Sequence, residues 1–377
     1  MATDERLCVA VLANSSWNVF NFRKTLIQFL IDQNHRVLVI APEDAYTSKL
    51  LIWEHIEFIP VRNLSATSLN PLKDFLLMLE YCRIFKNFKT NLILAHTIKP
   101  NIYASLVGRW LRIPVVSSLT GLGSVFIHDT LINKVLRKFY QWAVTRNSFI
   151  LFHNHSDRND WIERCSFPIS KTGIIPGSGV DINRYKQNAK QEQSHTAIFL
   201  FLGRLHPDKG IKEFLHAAKA LMHDFPDFNF WIAGEIQQSD FKGDYEEVMD
   251  LLNSIHRLSY FGKQSAIHDL LEKVTAVVLP SYREGMSRAL MEAMSMSKPV
   301  IATSVAGNSE LIVNGVEGIL VPARDAHALA KAMIKLSKMP FDQLQEMGAA
   351  GRLRIESYYS TQKVYLAYQE IFLKLLK

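Results

Sequence analysis

Short apolar runs alternate with helix-length amphipathic segments along the whole chain. Seven such runs lie in residues 4–178, and they read LCVAVLA, HRVLVIA, IEFIPV, NLILAH, IPVVSS, SFILFH and TGIIP. Six more follow in residues 179–377, and they read AIFLFL, NFWIAG, LSYFG, TAVVLP, PVIATS and GILVP. Apolar strands separated by helices are typical of parallel sheets covered by helices on both faces. The pattern therefore predicts an α/β fold of two Rossmann-like, doubly wound parallel-sheet domains that face a central cleft.

The break between the two predicted domains falls near residues 176–181, where proline and glycine interrupt the pattern. We expect one domain over residues 1–178 and the other over residues 179–358. A chain of 377 residues is long enough for two substantial cores. Three scattered cysteines argue against a disulfide framework, and no apolar run reaches the roughly 18 residues of a spanning helix. These features predict a cytoplasmic protein.

The positive charge is concentrated in the first half of the chain. Residues 1–180 contain 20 Lys and Arg against 13 Asp and Glu, whereas residues 181–377 contain 23 of each. A basic first domain predicts an anionic acceptor, an anionic surface, or both. Nucleic acid is not an expected partner, because no recognition-helix, zinc-finger or RNA-binding signature accompanies the charge.

One predicted helix, residues 131–146, combines this charge with aromatic side chains. It carries Lys134, Arg137, Lys138 and Arg146, and no acid occurs between residues 130 and 156. Each basic residue near an anionic leaflet contributes about 1 kcal/mol, so four predict reversible docking at the inner face of the cytoplasmic membrane. A helix over residues 72–88 is a second candidate. The alternative is that both apolar stripes face the core and the cations are solvated.

Two glutamates, Glu284 and Glu292, stand on either side of a predicted helix start. Glu284 follows the strand TAVVLP, Gly285 permits a turn, and Ser287 is a suitable cap for a helix through Met296. Glu292 then lies about five residues into this helix, roughly 7 Å along the helix axis at about 1.5 Å per residue. Carboxylates accept bonds from hydroxyl pairs, and a helix start favours phosphate, so the pattern predicts a sugar-nucleotide site. Alone, the pair is also explained by solvated glutamates.

A second segment carries cations into a similar turn. The strand AIFLFL runs into Gly203 and Arg204, and Lys209 and Gly210 precede the next helix. Arginine can donate two parallel hydrogen bonds to phosphate oxygens and lysine acts as a point charge, so the segment suits a departing diphosphate. An ordinary basic loop would explain the segment if it stood alone.

Taken together, these motifs resemble glycosyltransferase family 4. The resemblance rests on Gly203, Arg204, Lys209, Gly210 and the two glutamates, with GVDINRY after Ser178 and with Gly307 and Glu310. It implies a retaining enzyme of GT-B fold, whose last helix, residues 359–377, returns to the amino-terminal domain. The chain departs from the family at Ser178, where many relatives have Asn and where a smaller hydroxyl side chain now stands.

The first half of the chain resembles a narrower branch of that family. The motifs are FNFR, AHTIKPN, TGLGSVF and FHNHSDR. This branch builds capsule, O-antigen and protein-linked glycans on polyprenyl diphosphate carriers, often transferring N-acetylgalactosamine. The resemblance implies a UDP-sugar donor, an acceptor bound by the amino-terminal domain and a donor bound by the carboxy-terminal domain.

The resemblance also assigns roles to residues. The expected catalytic residues are Glu284, which positions the donor sugar, His96, which contacts sugar or acceptor, and the diphosphate cations Arg204 and Lys209. Glu292 is expected to hold the ribose. The remaining donor-site candidates are Gly203, Gly262, Lys263, Gly285, Met286 and Ser287. The acceptor-site candidates are Asn14, Arg23, Lys99, Asn101, Thr120, Gly121 and Gly123, and a surface salt bridge is the alternative for Arg23.

No metal or cofactor is expected. The sequence contains no Asp-x-Asp and no HExxH ligand set. Arg204, Lys209 and the helix start at Gly285–Arg288 would then stabilise the leaving diphosphate. Two other functions remain open, a UDP-sugar 2-epimerase on the same fold and a non-catalytic nucleotide-sugar-binding subunit.

Overall fold

The computed structural model describes residues 6–65, 70–120, 130–187, 196–241, 243–264 and 266–375. The chain forms two compact units. The amino-terminal unit comprises Met1–Ser178 together with Gln362–Lys377, and the carboxy-terminal unit comprises Gly179–Thr361. Each unit contains one sheet, and every strand pair in both sheets is parallel.

The sheet of the amino-terminal unit has seven strands in the order β3-β2-β1-β4-β5-β6-β7. Their bounds are β1 Cys8–Leu12, β2 Arg36–Ala41, β3 Ile56–Pro60, β4 Leu92–His96, β5 Val115–Leu119, β6 Phe149–Phe152 and β7 Thr172–Ile174. The helices are α1 Ser16–Phe22, α2 Lys24–Asp32, α3 Thr47–Leu51, α4 Pro71–Asn87, α5 Ile98–Leu111, α6 Leu131–Val144 and α7 His155–Cys165.

The sheet of the carboxy-terminal unit has six strands in the order β10-β9-β8-β11-β12-β13. Their bounds are β8 Ala197–Leu202, β9 Phe228–Ala233, β10 Leu258–Tyr260, β11 Ala276–Leu279, β12 Val300–Thr303 and β13 Gly318–Val321. The helices are α8 Ile211–Leu221, α9 Tyr245–Ser254, α10 His268–Lys273, α11 Arg288–Ser295, α12 Ala306–Leu311, α13 Ala326–Ser337 and α14 Phe341–Arg354, and α15 Thr361–Leu375 follows.

Both sheets have the doubly wound order, in which strands are added first on one side of the first strand and then on its other side. The order reverses between β1 and β4 in one unit and between β8 and β11 in the other. Ligands of open α/β sheets bind at the carboxyl ends of the strands beside such a reversal. Two positions in the molecule therefore have the topology of a binding site, one in each unit.

Helix α15 belongs to the core of the amino-terminal unit. Its inner face buries Val364, Tyr368, Ile371 and Phe372 against strands β1 and β4–β6 and against helix α2. The Tyr365 hydroxyl donates a hydrogen bond of 2.9 Å to Asp32 at the end of α2. The return of the last helix to this unit, which the family resemblance implies, is thus present in the structure.

The sequence pattern predicted all thirteen strands, and the predicted fold class is confirmed. The two candidate docking helices begin and end within two residues of their predicted bounds. The last helix begins at Thr361, two residues later than predicted, because Ser360 has an extended backbone (φ −67°, ψ 158°). Within the described ranges, no helix has the length and apolar character needed to cross a membrane.

Candidate active site

The sheet reversal in the carboxy-terminal unit brings the two predicted donor segments together. Gly203 and Arg204 follow β8, and Ser281 to Glu284 follow the neighbouring strand β11. Strands β8 and β11 are adjacent and parallel, so both segments emerge at the same edge of the sheet. The geometry places the cations and the carboxylate predicted for the donor at one binding position.

An ion pair joins the two segments directly. The ammonium of Lys209 lies 2.5 Å from Oε1 of Glu284, and the Ser281 hydroxyl donates to the same oxygen over 2.7 Å. Glu284 is only 8% exposed. No described residue donates a hydrogen bond to Oε2 of Glu284. The pair therefore fixes the carboxylate and leaves its second oxygen as the one that can accept from a ligand hydroxyl.

Two glycines allow the loops of this site to approach each other. Gly210 has φ +74°, and a Cβ added there would lie 2.1 Å from the carbonyl oxygen of Pro280. A Cβ on Gly307 would lie 2.4 Å from the oxygen of Gly285, and the Gly307 amide donates to the Glu284 carbonyl over 3.2 Å. Both contacts are backbone contacts that no larger residue would permit.

Helix α11 begins as the sequence predicts. The hydroxyl of Ser287 caps it by accepting from the amide of Leu290 at 3.4 Å. Glu292 is 7% exposed, and its Oε1 accepts from Nε of Arg288 over 2.7 Å. Burial, and next the charge of Glu292, raise the pKa of Tyr185 to about 12. Glu292 is therefore a buried carboxylate already oriented by Arg288, and its contact with a ribose stays a prediction.

Arg204 is the more accessible of the two cations that are predicted to bind the diphosphate. Its side chain is 52% exposed, and one guanidinium nitrogen lies 3.6 Å from Oδ2 of Asp240. Sequence reasoning did not identify Asp240, which sits in a short 3₁₀ turn after β9 and has no distinctive spacing to the motif. The loose pair with Asp240 keeps the guanidinium near the sheet edge without enclosing it.

The remaining donor-site candidates lie at the same edge or beside it. Gly262 and Lys263 follow β10, and the ammonium of Lys263 pairs with Glu235 over 3.1 Å at the surface. Gly285 is buried and Met286 is half-buried at the start of α11. Their donor contacts remain predictions.

Tyr282 is a member of this site that sequence reasoning missed. Its amide donates to the carbonyl of Asp208 over 2.8 Å, and its hydroxyl donates to Oε1 of Glu213 over 2.6 Å. The guanidinium of Arg324 lies 4.7 Å from the centre of its ring. Burial and the neighbouring Glu213 raise the pKa of the Tyr282 hydroxyl. Tyr282 thus holds the loop after β11 against helix α8, two residues from the catalytic candidate Glu284.

We expect Tyr282→Phe to lower kcat by about tenfold, because loss of the bond to Glu213 loosens the loop that fixes Glu284. KM for the nucleotide sugar should change by less than about threefold, since Tyr282 makes none of the predicted donor contacts. Steady-state kinetics measure both constants. Equal losses in Tyr365→Phe, whose hydroxyl bonds the Asp32 carboxylate in the amino-terminal unit, would contradict the assignment.

The amino-terminal unit has its own buried polar residues at its sheet reversal. His96 ends β4 and is 1% exposed, and Arg23 lies between α1 and α2 and is 2% exposed. Burial, the charge of Arg23 and His153 hold the pKa of His96 well below its usual range. Burial likewise lowers the pKa of Arg23 to about 10. At neutral pH the histidine is therefore neutral and the arginine is charged.

Two acceptor-site candidates have structural partners. The ammonium of Lys99 lies 2.7 Å from Asp74, and the Asn101 amide donates to the Ser118 carbonyl and to Tyr140. These contacts join α4 to α5 and α5 to β5 and α6. Asn14 and Thr120 are half-buried at strand ends. Gly121 and Gly123 lie outside the described residues, and the acceptor roles stay predictions.

The buried histidines predict acid sensitivity of the amino-terminal unit. Burial and Arg23 lower the pKa of His153 to about 3, so the unfolded chain takes up a proton near pH 6.5 before the folded one. The free energy of unfolding should therefore fall by up to about 1.4 kcal/mol per pH unit and per histidine below pH 6.5. Hydrogen exchange of β4–β6 amides at pH 7 and 5 measures this. If the free energy of unfolding of His153→Gln falls with pH as steeply as that of the wild type, the contribution assigned to His153 is contradicted.

Two family profiles match the chain. The profile described as "Glycosyl transferases group 1" matches residues 183–354, and that described as "Glycosyl transferase 4-like" matches residues 8–154. In the described residues, no group of three or more His, Cys, Asp or Glu side chains is placed to hold a metal ion.

Two curated relatives are each 27% identical to the chain. One, from Campylobacter jejuni, is N,N'-diacetylbacillosaminyl-diphospho-undecaprenol alpha-1,3-N-acetylgalactosaminyltransferase, and the match covers 86% of this chain and 87% of the relative. The other, from Escherichia coli, is UDP-Gal:alpha-D-GlcNAc-diphosphoundecaprenol alpha-1,3-galactosyltransferase, and the match covers 74% of each.

Solved structures with the same fold cover nearly the whole chain. Anabaena HepE in complex with UDP and glucose superposes with a TM-score of 0.81 over 97% of this chain and 99% of its own. Sucrose-phosphate synthase from Thermosynechococcus elongatus superposes with a TM-score of 0.80 over 98% and 99%. Both are 19% identical to this chain, and the likeness concerns the fold.

Proposed function

Because the chain belongs to the family 4 type of glycosyltransferases, with GT-B fold, we propose that it transfers an N-acetylhexosamine to a polyprenyl-diphosphate-linked saccharide. The donor in this proposal is a UDP-sugar, with N-acetylgalactosamine as the sugar. The chemistry is that of a glycosyltransferase using a nucleotide sugar. The donor sugar, the lipid-linked acceptor and the retention of configuration are the proposed parts.

The ion pair between Lys209 and Glu284 is the observation that carries the proposal. It joins a cation suited to a leaving diphosphate to a carboxylate suited to a sugar hydroxyl, at the carboxyl edge of the donor sheet. Arg204, whose guanidinium is exposed, follows β8, the neighbour of the strand that precedes Glu284. A nucleotide sugar needs positive charge at its diphosphate and acceptors at its hydroxyls, and this group of residues supplies both.

The proposed reaction proceeds on the front face of the sugar. The bond between C1 and the diphosphate oxygen breaks, and the acceptor hydroxyl forms the new bond to C1 from the same side. The acceptor proton passes to the departing diphosphate, so that UDP is the second product. Arg204, Lys209 and the start of α11 stabilise the charge that develops on the diphosphate. Glu284 positions the sugar, and His96 is a neutral hydrogen-bonding group for the sugar or the acceptor.

The names of the two relatives support the acceptor class. One acts on a diphospho-undecaprenol-linked sugar as an N-acetylgalactosaminyltransferase, and the other as a galactosyltransferase on a diphosphoundecaprenol-linked sugar. The basic first half of this chain fits an acceptor that carries a diphosphate.

The test uses purified full-length protein, a short polyprenyl diphosphate saccharide and a panel of UDP-, GDP- and ADP-sugars. Mass spectrometry of the lipid product should show a gain of one N-acetylhexosamine with the UDP donor and no gain with the other nucleotides. Epimerisation of the nucleotide sugar without any acceptor, and no elongation with any pair, would instead favour a 2-epimerase. Binding of donor without turnover would favour a non-catalytic subunit.

We also propose that the amino-terminal unit docks on an anionic membrane surface. Helix α6 exposes Leu131, Val135, Phe139 and Trp142, which lie four, four and three residues apart on one face. Helix α4 exposes a similar stripe of Leu72, Phe75, Leu76 and Leu79. The alternative that these stripes face the core is wrong for these eight residues. Apolar faces beside cations fit an interface with anionic lipid.

Leu131→Gln/Val135→Gln should weaken binding to phosphatidylglycerol vesicles by at least about tenfold, since each residue buries several methylene groups in the interface. Co-sedimentation with the vesicles measures the change, and phosphatidylcholine vesicles should bind the wild type weakly. The matched control is Leu353→Gln, an exposed leucine in the carboxy-terminal unit that is 64% accessible. Equal losses in both variants would rule out this surface.

A further inference from the structure

A row of polar side chains crosses three adjacent strands of the amino-terminal sheet. In β4, β5 and β6, the buried residues Leu94, Val116 and Leu151 face the core that α2 and α15 cover. Side chains two positions further along point to the same side of a strand. His96 in β4 and Ser118 in β5 occupy those positions and are direct register partners, and His153 is the first residue after β6, two positions beyond Leu151. The three side chains therefore share one face at the carboxyl edge of the sheet.

Arg23 lies over this face. It joins α1 to α2, whose apolar residues Leu26 and Ile27 pack into the same core. Burial and then the charge of Arg23 lower the pKa of both His96 and His153, and Tyr368 of α15 lies near enough to affect the pKa of Arg23. The four polar residues Arg23, His96, Ser118 and His153 form what we call the β4–β6 cluster.

Among the described residues, the β4–β6 cluster has a charge but no counter-charge. Arg23 is 2% exposed, its Nε has no hydrogen-bond partner, and none of the described carboxylates pairs with it. The surface salt bridge that the sequence left open for Arg23 is therefore wrong for the described part of the chain. An unpaired charge is costly to bury, and such groups are normally paired.

Other polar atoms of the cluster are also unsatisfied. Both ring nitrogens of His96 and the hydroxyl oxygen of Ser118 are buried and have no partner among the described residues. Buried polar atoms in folded proteins are nearly always hydrogen-bonded, so a local group of unsatisfied ones around a cation indicates a site for an anion. A phosphoryl group matches it, because its oxygens accept from a guanidinium fork, an imidazole N–H and a hydroxyl at once.

We propose that the β4–β6 cluster binds a phosphoryl group of the lipid diphosphate in the acceptor. This inference rests on the proposed function, and it adds His153 and Ser118 to the acceptor-site residues. The acceptor is the source favoured over the donor, because the donor diphosphate already has Arg204 and Lys209 in the carboxy-terminal unit. Arg23 supplies the charge, and His153 acts as a neutral hydrogen-bonding group beside it.

The test is a titration of the full-length protein with farnesyl diphosphate, carried out in saturating UDP so that the donor cations are occupied. Calorimetry should give binding in the wild type. Arg23→Gln should weaken it at least tenfold, the loss expected for one charge-assisted hydrogen bond, and Arg23→Lys should restore part of it. Ser118→Ala and His153→Gln should each weaken it severalfold.

The matched control is Arg36→Gln, because Arg36 pairs with Glu57 at the surface of the same unit. It should bind farnesyl diphosphate as the wild type does. The far-UV circular dichroism spectrum should match that of the wild type in every variant, which shows that both units are folded, and UDP affinity should stay within twofold. Farnesol should bind much more weakly than farnesyl diphosphate, and glucuronic acid, an anionic sugar, should not compete.

Several results would overturn the proposal. One is that saturating UDP abolishes farnesyl diphosphate binding, and another is that farnesol binds as tightly as farnesyl diphosphate. The others are that glucuronic acid competes with farnesyl diphosphate, and that Arg23→Gln leaves the affinity for farnesyl diphosphate unchanged. The test is separable from that of the proposed function, because it measures binding without transfer. If farnesyl diphosphate binds through Arg23 but no lipid is elongated, the site stands and the transferase substrate assignment fails. If lipid is elongated but Arg23→Gln does not weaken farnesyl diphosphate binding, the proposed function stands and the proposed site fails.

Discussion

Glu284→Gln is expected to lower kcat by about a hundredfold or more, with a change in UDP affinity of less than about threefold. Glutamine keeps the shape of the side chain but removes the charge that Lys209 neutralises at 2.5 Å and that, in the proposed function, positions the reacting sugar. The loss should fall on kcat, because the proposed contact to the sugar strengthens as the glycosidic bond breaks. Steady-state transfer kinetics and a UDP titration together measure the two effects.

The matched control for this variant is Glu292→Gln on helix α11. Both glutamates are buried and each is paired with one cation, Lys209 or Arg288. If Glu292 holds the ribose, its variant should weaken UDP binding with a smaller effect on kcat. Nearly normal turnover by Glu284→Gln would remove Glu284 from the catalytic residues.

Lys209→Met is expected to lower kcat by a similar factor of about a hundred, since it removes one of the two cations proposed to stabilise the leaving diphosphate and leaves Glu284 buried without its partner. Because the two residues act as one unit, Glu284→Gln/Lys209→Met should be no slower than the worse single variant. A double-mutant cycle on kcat/KM measures this coupling.

Lys212→Met provides the control for the lysine. Lys212 lies on α8, three residues after Lys209, and pairs with Asp244 and Glu247 instead of Glu284. Its kcat should remain within about twofold of the wild type, as expected for a surface ion pair. Strictly additive losses in the Glu284 and Lys209 variants would show that the observed ion pair has no role in the reaction.

The strands were predictable from the sequence because most of them are buried on both faces. Runs such as AIFLFL and LCVAVLA have no polar interruption, so their position and type follow from the apolar pattern alone. Ser287 was predictable as a cap for the same local reason, since its side chain bonds an amide only three residues away.

Contacts between distant loops were not predictable in this way. The sequence assigned Lys209 and Glu284 to the same ligand but gave no indication that they pair across 75 residues. Tyr282 and Asp240 were missed because their partners, Glu213 on α8 and Arg204 after β8, are distant in the sequence, and a tyrosine beside the glutamate motif carries no signal of its own. That Arg23 has no counter-charge among the described residues likewise depends on which carboxylates the fold keeps away from it.

Helix α15 determines the order in which the two units can be completed during synthesis. The carboxy-terminal unit is one continuous stretch, so its core can close as soon as residue 361 has left the ribosome. The amino-terminal unit begins first but lacks Tyr368, Ile371 and Phe372 until these residues, which follow the whole carboxy-terminal unit in the chain, have been made. The half made first therefore finishes last, and its unfilled apolar groove is the surface that a nascent-chain chaperone would be expected to protect.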